Sequence, residues 1–161
     1  MKKAIEILQK IQIVTGGIFL AIFLVAVLIQ IFSRYLEITV TWTEDVTSYA
    51  FIWAVFMGAS AMVFERRHFA FTSLSDRLNS PLKKLLLSLV ISFIILIFSF
   101  CMVYYGIKIA IQFWNYHWIN IVVLKRGPVW LCLPVAGGAS VIYCVYHMVN
   151  DIGIYKKGDN T

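Results

Sequence analysis

Residues 85–107 read LLLSLVISFIILIFSFCMVYYGI, twenty-three positions without a charge between Lys84 and Lys108. At about 1.5 Å per residue, a helix of this length covers roughly 35 Å, enough to cross a hydrocarbon core of roughly 30 Å. Three further windows have the same character: 11–33, 46–64 and 127–150, of 23, 19 and 24 residues. Together the four hold 89 of the 161 residues. A soluble domain carries about 25% charged residues. This chain has 14%, confined between apolar windows, so a soluble globular fold is excluded. A membrane β-barrel is excluded too, because its strands alternate apolar and polar over about 10 residues. The expected fold class is an all-α integral membrane protein with four transmembrane helices at about 12–33, 43–64, 85–107 and 128–149. Short amphipathic interfacial helices are expected at about 2–10, 69–79 and 108–124, all within one membrane domain.

The net charge of +6 is more informative by position than as a sum, since Lys and Arg in short loops set orientation. That reading needs no nucleic-acid partner. With four spans, Lys2, Lys3, Lys10, Arg66, Arg67, Arg77, Lys83, Lys84, Lys156 and Lys157 share one side, against Arg34, Lys125 and Arg126 on the other. Both termini and the middle loop are therefore predicted cytoplasmic. Lys2 and Lys3 before an apolar run resemble a signal peptide, but the uncharged run exceeds the 7–15 residues of such a segment and no small-residue cleavage pattern follows. It is expected to stay as an anchor. Cys101, Cys132 and Cys144 fall in or beside apolar windows and form no Cys-x-x-Cys pair. They read as buried small apolar residues.

Local signals place the helix ends. Gly16 and Gly17 permit close helix approach near the start of the first span, which closes at Arg34-Tyr35. Thr41-Trp-Thr-Glu44 has the spacing of a capping box, and Asp45 adds negative charge beside the positive end of the helix dipole. Ser80-Pro81 sets a cap and a first-turn proline for the third helix. Its helical pattern runs past residue 107, and a helix from 85 to 118 would reach about 51 Å. The element must therefore tilt, bend at Gly106, or emerge along the surface, where Tyr104, Tyr105, Trp114, Tyr116 and Trp118 favour the interface and Lys108 can snorkel. Gly127-Pro128 restarts the chain, and Pro134 with Gly137-Gly138 predicts a kink with close packing.

A search for chemistry returns little. All eight acids, Glu6, Glu37, Glu44, Asp45, Glu65, Asp76, Asp151 and Asp159, lie outside the four windows. A carrier that couples ions by itself commonly holds an ionisable residue within the membrane, so a small autonomous antiporter is disfavoured. No phosphate loop, Gly-x-Ser-x-Gly or His-Glu-x-x-His occurs. No enzyme, metal or cofactor is expected. One alternative is a haem-bearing or structural membrane anchor of a respiratory enzyme, with His117 and His147 as axial ligands. The predicted topology puts those two on opposite sides, and His68 lies in a charged loop. For Glu44 and Asp45, helix capping, pairing with Arg34 and contact with a partner's basic residue all remain open.

Taken in order, Arg34-Tyr35, Trp42-Thr-Glu44-Asp45, Phe51-x-Trp53, Phe56-Met-Gly58-Ala59, His68, Pro128-x-Trp130 and Pro134-Val-x-Gly137 resemble the small membrane (Q-type) subunit of tripartite ATP-independent periplasmic (TRAP) transporters. The likeness spans roughly residues 12–150. Asp45 stands where the family usually has a second Glu, and 69–75 is more aromatic than the pattern. The resemblance implies a large multispanning membrane partner and a periplasmic solute-binding protein. It also implies sodium-coupled import of an organic acid such as sialic acid, another sugar acid or a C4-dicarboxylate. The large subunit would carry the substrate and sodium sites and this chain would enlarge a fixed scaffold in the bilayer. On that basis Trp53, Gly58 and Ala59 are expected to pack in the membrane. Arg34, Tyr35, Trp42, Glu44 and Asp45 would order the outer edge, and Lys125 and Arg126 would help receive the binding protein.

Overall fold

The computed structural model describes residues 2–65 and 80–158. The interfacial helix expected at 69–79 and the residue His68 lie outside these. The described chain forms α1 (Lys2–Tyr35), α2 (Trp42–Glu65), α3 (Pro81–Gln112), α4 (Gly127–Trp130) and α5 (Cys132–Gly158). Four helical stretches are long and apolar enough to cross a membrane: α1, α2, α3 and the combined run of α4 and α5.

α1 and α2 form an antiparallel hairpin whose register is visible in its side chains. Phe19 stacks on Trp53 with ring centroids 5.4 Å apart, and Phe23 meets Phe51 at 5.3 Å. Gly16 lies where a Cβ would be 3.4 Å from that of Met57. The turn between these helices closes as a Schellman motif: Ile38 N–H donates to the Ser33 carbonyl at 2.9 Å and Glu37 N–H to Arg34 at 3.3 Å. Glu37 adopts the left-handed conformation, φ 56°, that this motif requires. α3 and α5 form a second hairpin, in which Gly106 and Gly137 set the closest approach. A Cβ on Gly106 would lie 2.7 Å from Leu133 Cβ and 2.8 Å from Pro134 Cδ; one on Gly137 would lie 2.9 Å from the Ser99 carbonyl.

The hairpins join through α2 and α5, which run parallel. Met57, Cys132 and Ala136 form one buried cluster between them, flanked by Trp53 and Phe56. Ile5, Ala139 and Tyr143 form another, flanked by Val63 and Phe64. Among the described residues α3 touches neither α1 nor α2. The lateral order is therefore α1, α2, α5, α3, a row in which α1 also reaches α5 through Ile5 and Gln12. Its outer faces carry exposed Val14, Ile18 and Val25 on α1 and Val90, Phe93, Ile97 and Phe100 on α3.

Four local expectations change. The segment 2–10 is not a separate helix but the first turns of α1, and its Ile5 packs on Tyr143 and Ala139. α3 ends at Gln112, so 108–124 is not an interfacial helix; it is five helical residues followed by a folded loop. The fourth span is interrupted at Leu131, earlier than a kink at Pro134, because Pro134 has no N–H for the Trp130 carbonyl one turn back. Cys101 is exposed on α3, whereas Cys132 and Cys144 are buried. The two cap signals place their helix starts correctly, with Trp42 and Pro81 as first residues, but the Ser80 side chain makes no cap bond.

Candidate functional site

The polar side chains inside the apolar windows converge where α1, α2 and α5 meet. Tyr143 OH donates to Gln12 Oε1 at 2.6 Å, and Gln12 Nε2 donates to Ser60 Oγ at 3.1 Å. Ser60 Oγ in turn donates to the Ala136 carbonyl at 2.9 Å and lies 3.1 Å from Ser140 Oγ, which donates to the same carbonyl at 2.9 Å. Gln12, Ser60, Ser140 and Tyr143 are all buried. In an apolar surround an unpaired polar group is costly, and here each amide or hydroxyl finds a partner on another helix. The network acts as a pin.

Further pins lie towards the end that carries the termini. Gln9 Nε2 donates to Glu65 Oε1 at 3.1 Å, joining α1 to α2. His147 Nε2 lies 2.9 Å from the Phe64 carbonyl, joining α5 to α2. Ser88 Oγ donates to Asp151 Oδ2, joining α3 to α5. Every helix in the row is thus tied to its neighbour by at least one polar bond as well as by packing.

At the opposite end Asp45, second acid in the first turn of α2, holds the loop that follows α3. Its Oδ2 accepts the N–H groups of Asn120 at 2.9 Å and Ile121 at 3.1 Å, and its Oδ1 accepts Asn120 Nδ2 at 3.3 Å. The loop is closed on itself by an antiparallel bridge between His117 and Lys125. Arg126 N–H donates to Tyr116 at 2.8 Å and Trp118 N–H to Leu124 at 3.1 Å. Arg126 also sits over the Trp118 ring at 5.0 Å. Gly127 lies against Trp114, where a Cβ would be 2.7 Å from the backbone. Trp130 faces Phe113 with centroids 6.1 Å apart.

These placements sort the residues singled out in the sequence. Asp45 has the partner that the sequence left open, and it is the backbone of this chain's own loop rather than Arg34. Arg34, Tyr35, Trp42 and Glu44 are exposed, and Arg34 forms no ion pair among the described residues. Trp53 stacks on Phe19. A Cβ on Gly58 would meet nothing within 4 Å, and Ala59 is exposed; the face of α2 that packs carries Ala50, Met57, Ser60 and Ala61. Pro128, Trp130 and Pro134 are half-buried around the Leu131 interruption, Arg126 is half-buried and Lys125 exposed. His117 lies in the loop after α3, bridged to Lys125, whereas His147 lies on α5, bonded to Phe64 towards the end that carries the termini.

The sequence reading missed Gln9, Gln12, Ser60, Ser140 and Tyr143. Its rule scanned for charges, and none of these is charged. A usable signal was present: Gln9, Gln12 and Gly16 share one helical face at spacings of three and four.

A row of four helices long and apolar enough to cross a membrane, pinned laterally and with no Asp, Glu, Lys or Arg in its uncharged windows, defines a multi-pass membrane protein. A family model described as Tripartite ATP-independent periplasmic transporters, DctQ component, matches residues 13–153. The chain belongs to this family: it is a small membrane component of a TRAP transporter, a transport subunit and not an enzyme. Comparison with curated proteins finds no match.

Proposed function

We propose that this chain is the fixed brace of a sodium-coupled importer of an organic acid, either a sialic or other sugar acid or a C4-dicarboxylate. The observation that carries the proposal is the row arrangement itself. α1 and α3 lie at its two edges with long apolar faces that nothing among the described residues covers. The interior, by contrast, is locked by the Gln12–Ser60–Ser140–Tyr143 network and the Asp151–Ser88 bond. A rigid row with an open edge suits lateral union with a larger multispanning subunit that carries the substrate and sodium sites. The positive-inside pattern supports an inner-membrane setting with both termini cytoplasmic. The anchored loop then lies on the periplasmic side, where exposed Lys125 is placed to meet a solute-binding protein.

Purification through a tag on this chain from native membranes is expected to retain a large multispanning partner. In proteoliposomes, uptake of radiolabelled sialic acid or succinate is expected to need that partner and the binding protein. Uptake by this chain alone would overturn the reading. Reversal of charge at Lys125 and Arg126 is expected to slow uptake without dissolving the membrane complex; unchanged uptake would remove the docking role.

A further inference from the structure

The loop between α3 and α4 exposes its apolar side chains where a folded loop ordinarily hides them: Ile119 is 81% exposed, Val122 70% and Val123 94%. Three observations say what covers them. The first is depth. Asp45, which grips Asn120 and Ile121, immediately precedes the uncharged window 46–64. Although α3 runs on to Gln112, the chain therefore folds back until residues 120–121 lie level with the apolar boundary of α2.

The second is the company the tip keeps. Trp114, Tyr116 and Trp118 lie on one flank, Lys125 and Arg126 on the other, and Lys108 stands over the Tyr104 ring at 4.4 Å. From 108 to 126 there is no Asp or Glu. Aromatic rings with cations and no acids are the composition of a segment seated among headgroups, the more so where lipids are anionic. The third is backbone bonding. The N–H groups of Trp118, Asn120, Ile121, Leu124 and Arg126 are all bonded within the chain, which lowers the cost of bringing this turn out of water.

We propose that the Ile119–Val123 tip is a lipid-inserting wedge, aimed by Asp45 into the headgroup–acyl boundary of the bilayer and held there by flanking rings and cations. It is independent of which solute is transported, and its failure would leave the bracing role intact.

The test places a nitroxide at Val123→Cys, or separately at Ile119→Cys, on a Cys101→Ala background; Cys132 and Cys144 are buried. The full chain is reconstituted in vesicles of phosphatidylethanolamine and phosphatidylglycerol. Collision rates with oxygen, which concentrates in lipid, and with a water-soluble nickel chelate are compared with those of the same nitroxide free in buffer. The wedge predicts a several-fold higher oxygen-to-nickel ratio at 119 and 123 than in buffer. Ratios equal to that of the free nitroxide would overturn it in favour of a tip standing in water. Shielding from both reagents would overturn it in favour of a protein contact, such as a second copy.

Discussion

Asp45 shows how one carboxylate links two parts of the chain that lie 75 residues apart in sequence. It occupies the first turn of α2, where the helix dipole favours a negative charge, and spends its oxygens on three N–H donors of the loop. Asp45→Ala leaves those donors unpaired, and bonds to a charged group are worth about 1.5–3 kcal/mol each. The expected outcome is a clear loss of stability with faster amide exchange at Asn120 and Ile121, while exchange along α1 is unchanged. Uniform protection at these two amides in the variant would contradict the anchoring role. Glu37 offers the opposite case. A non-glycine residue held at positive φ costs about 1–2 kcal/mol, partly offset by the entropy a glycine would lose on folding. Glu37→Gly is therefore expected to raise the midpoint of denaturation in detergent, and Glu37→Val to lower it.

At the scale of elements, the two hairpins differ in how tightly they close. Gly106→Ala or Gly137→Ala places a methyl group against side chain or backbone at 2.7–3.1 Å, forcing α3 away from α5. Overpacking of this kind costs about 1–3 kcal/mol. Gly17→Ala and Gly138→Ala enter open space and should be neutral or stabilising, by up to about 1 kcal/mol of helix propensity. Thermal melts of the four variants check the contrast, and equal behaviour would contradict the packing described. In the other interface, Ser60→Ala removes the acceptor for Gln12 and a donor to Ala136; interhelical bonds in membranes are worth about 0.6–2 kcal/mol. Tyr143→Phe, which strands Gln12 Oε1, should cost a comparable amount, and the double variant less than the sum because both act on Gln12.

The spans were legible because length and the absence of charge suffice to mark them. What decides their neighbours was harder to read. Gly16 and Gly137 stand beside Gly17 and Gly138 in sequence, yet only the first of each pair faces another helix. The fold of 113–126 escaped because its hydrophobicity is helix-like, while its shape is set by a distant acid and by cross-loop backbone bonds. Pro134 announced an interruption but not that it would fall at Leu131, where the missing donor is felt.

For the whole molecule, polar bonds tie the row α1, α2, α5, α3 together and the apolar edges of α1 and α3 are left exposed. The central claim is that this chain braces a transporter without carrying solute itself. The most direct test reconstitutes the tagged chain alone, its large co-purified partner alone, and the two together, each with the solute-binding protein and an inward sodium gradient. Uptake of radiolabelled sialic acid or succinate is predicted only when both membrane subunits are present. Sodium-driven uptake through this chain alone would contradict the account.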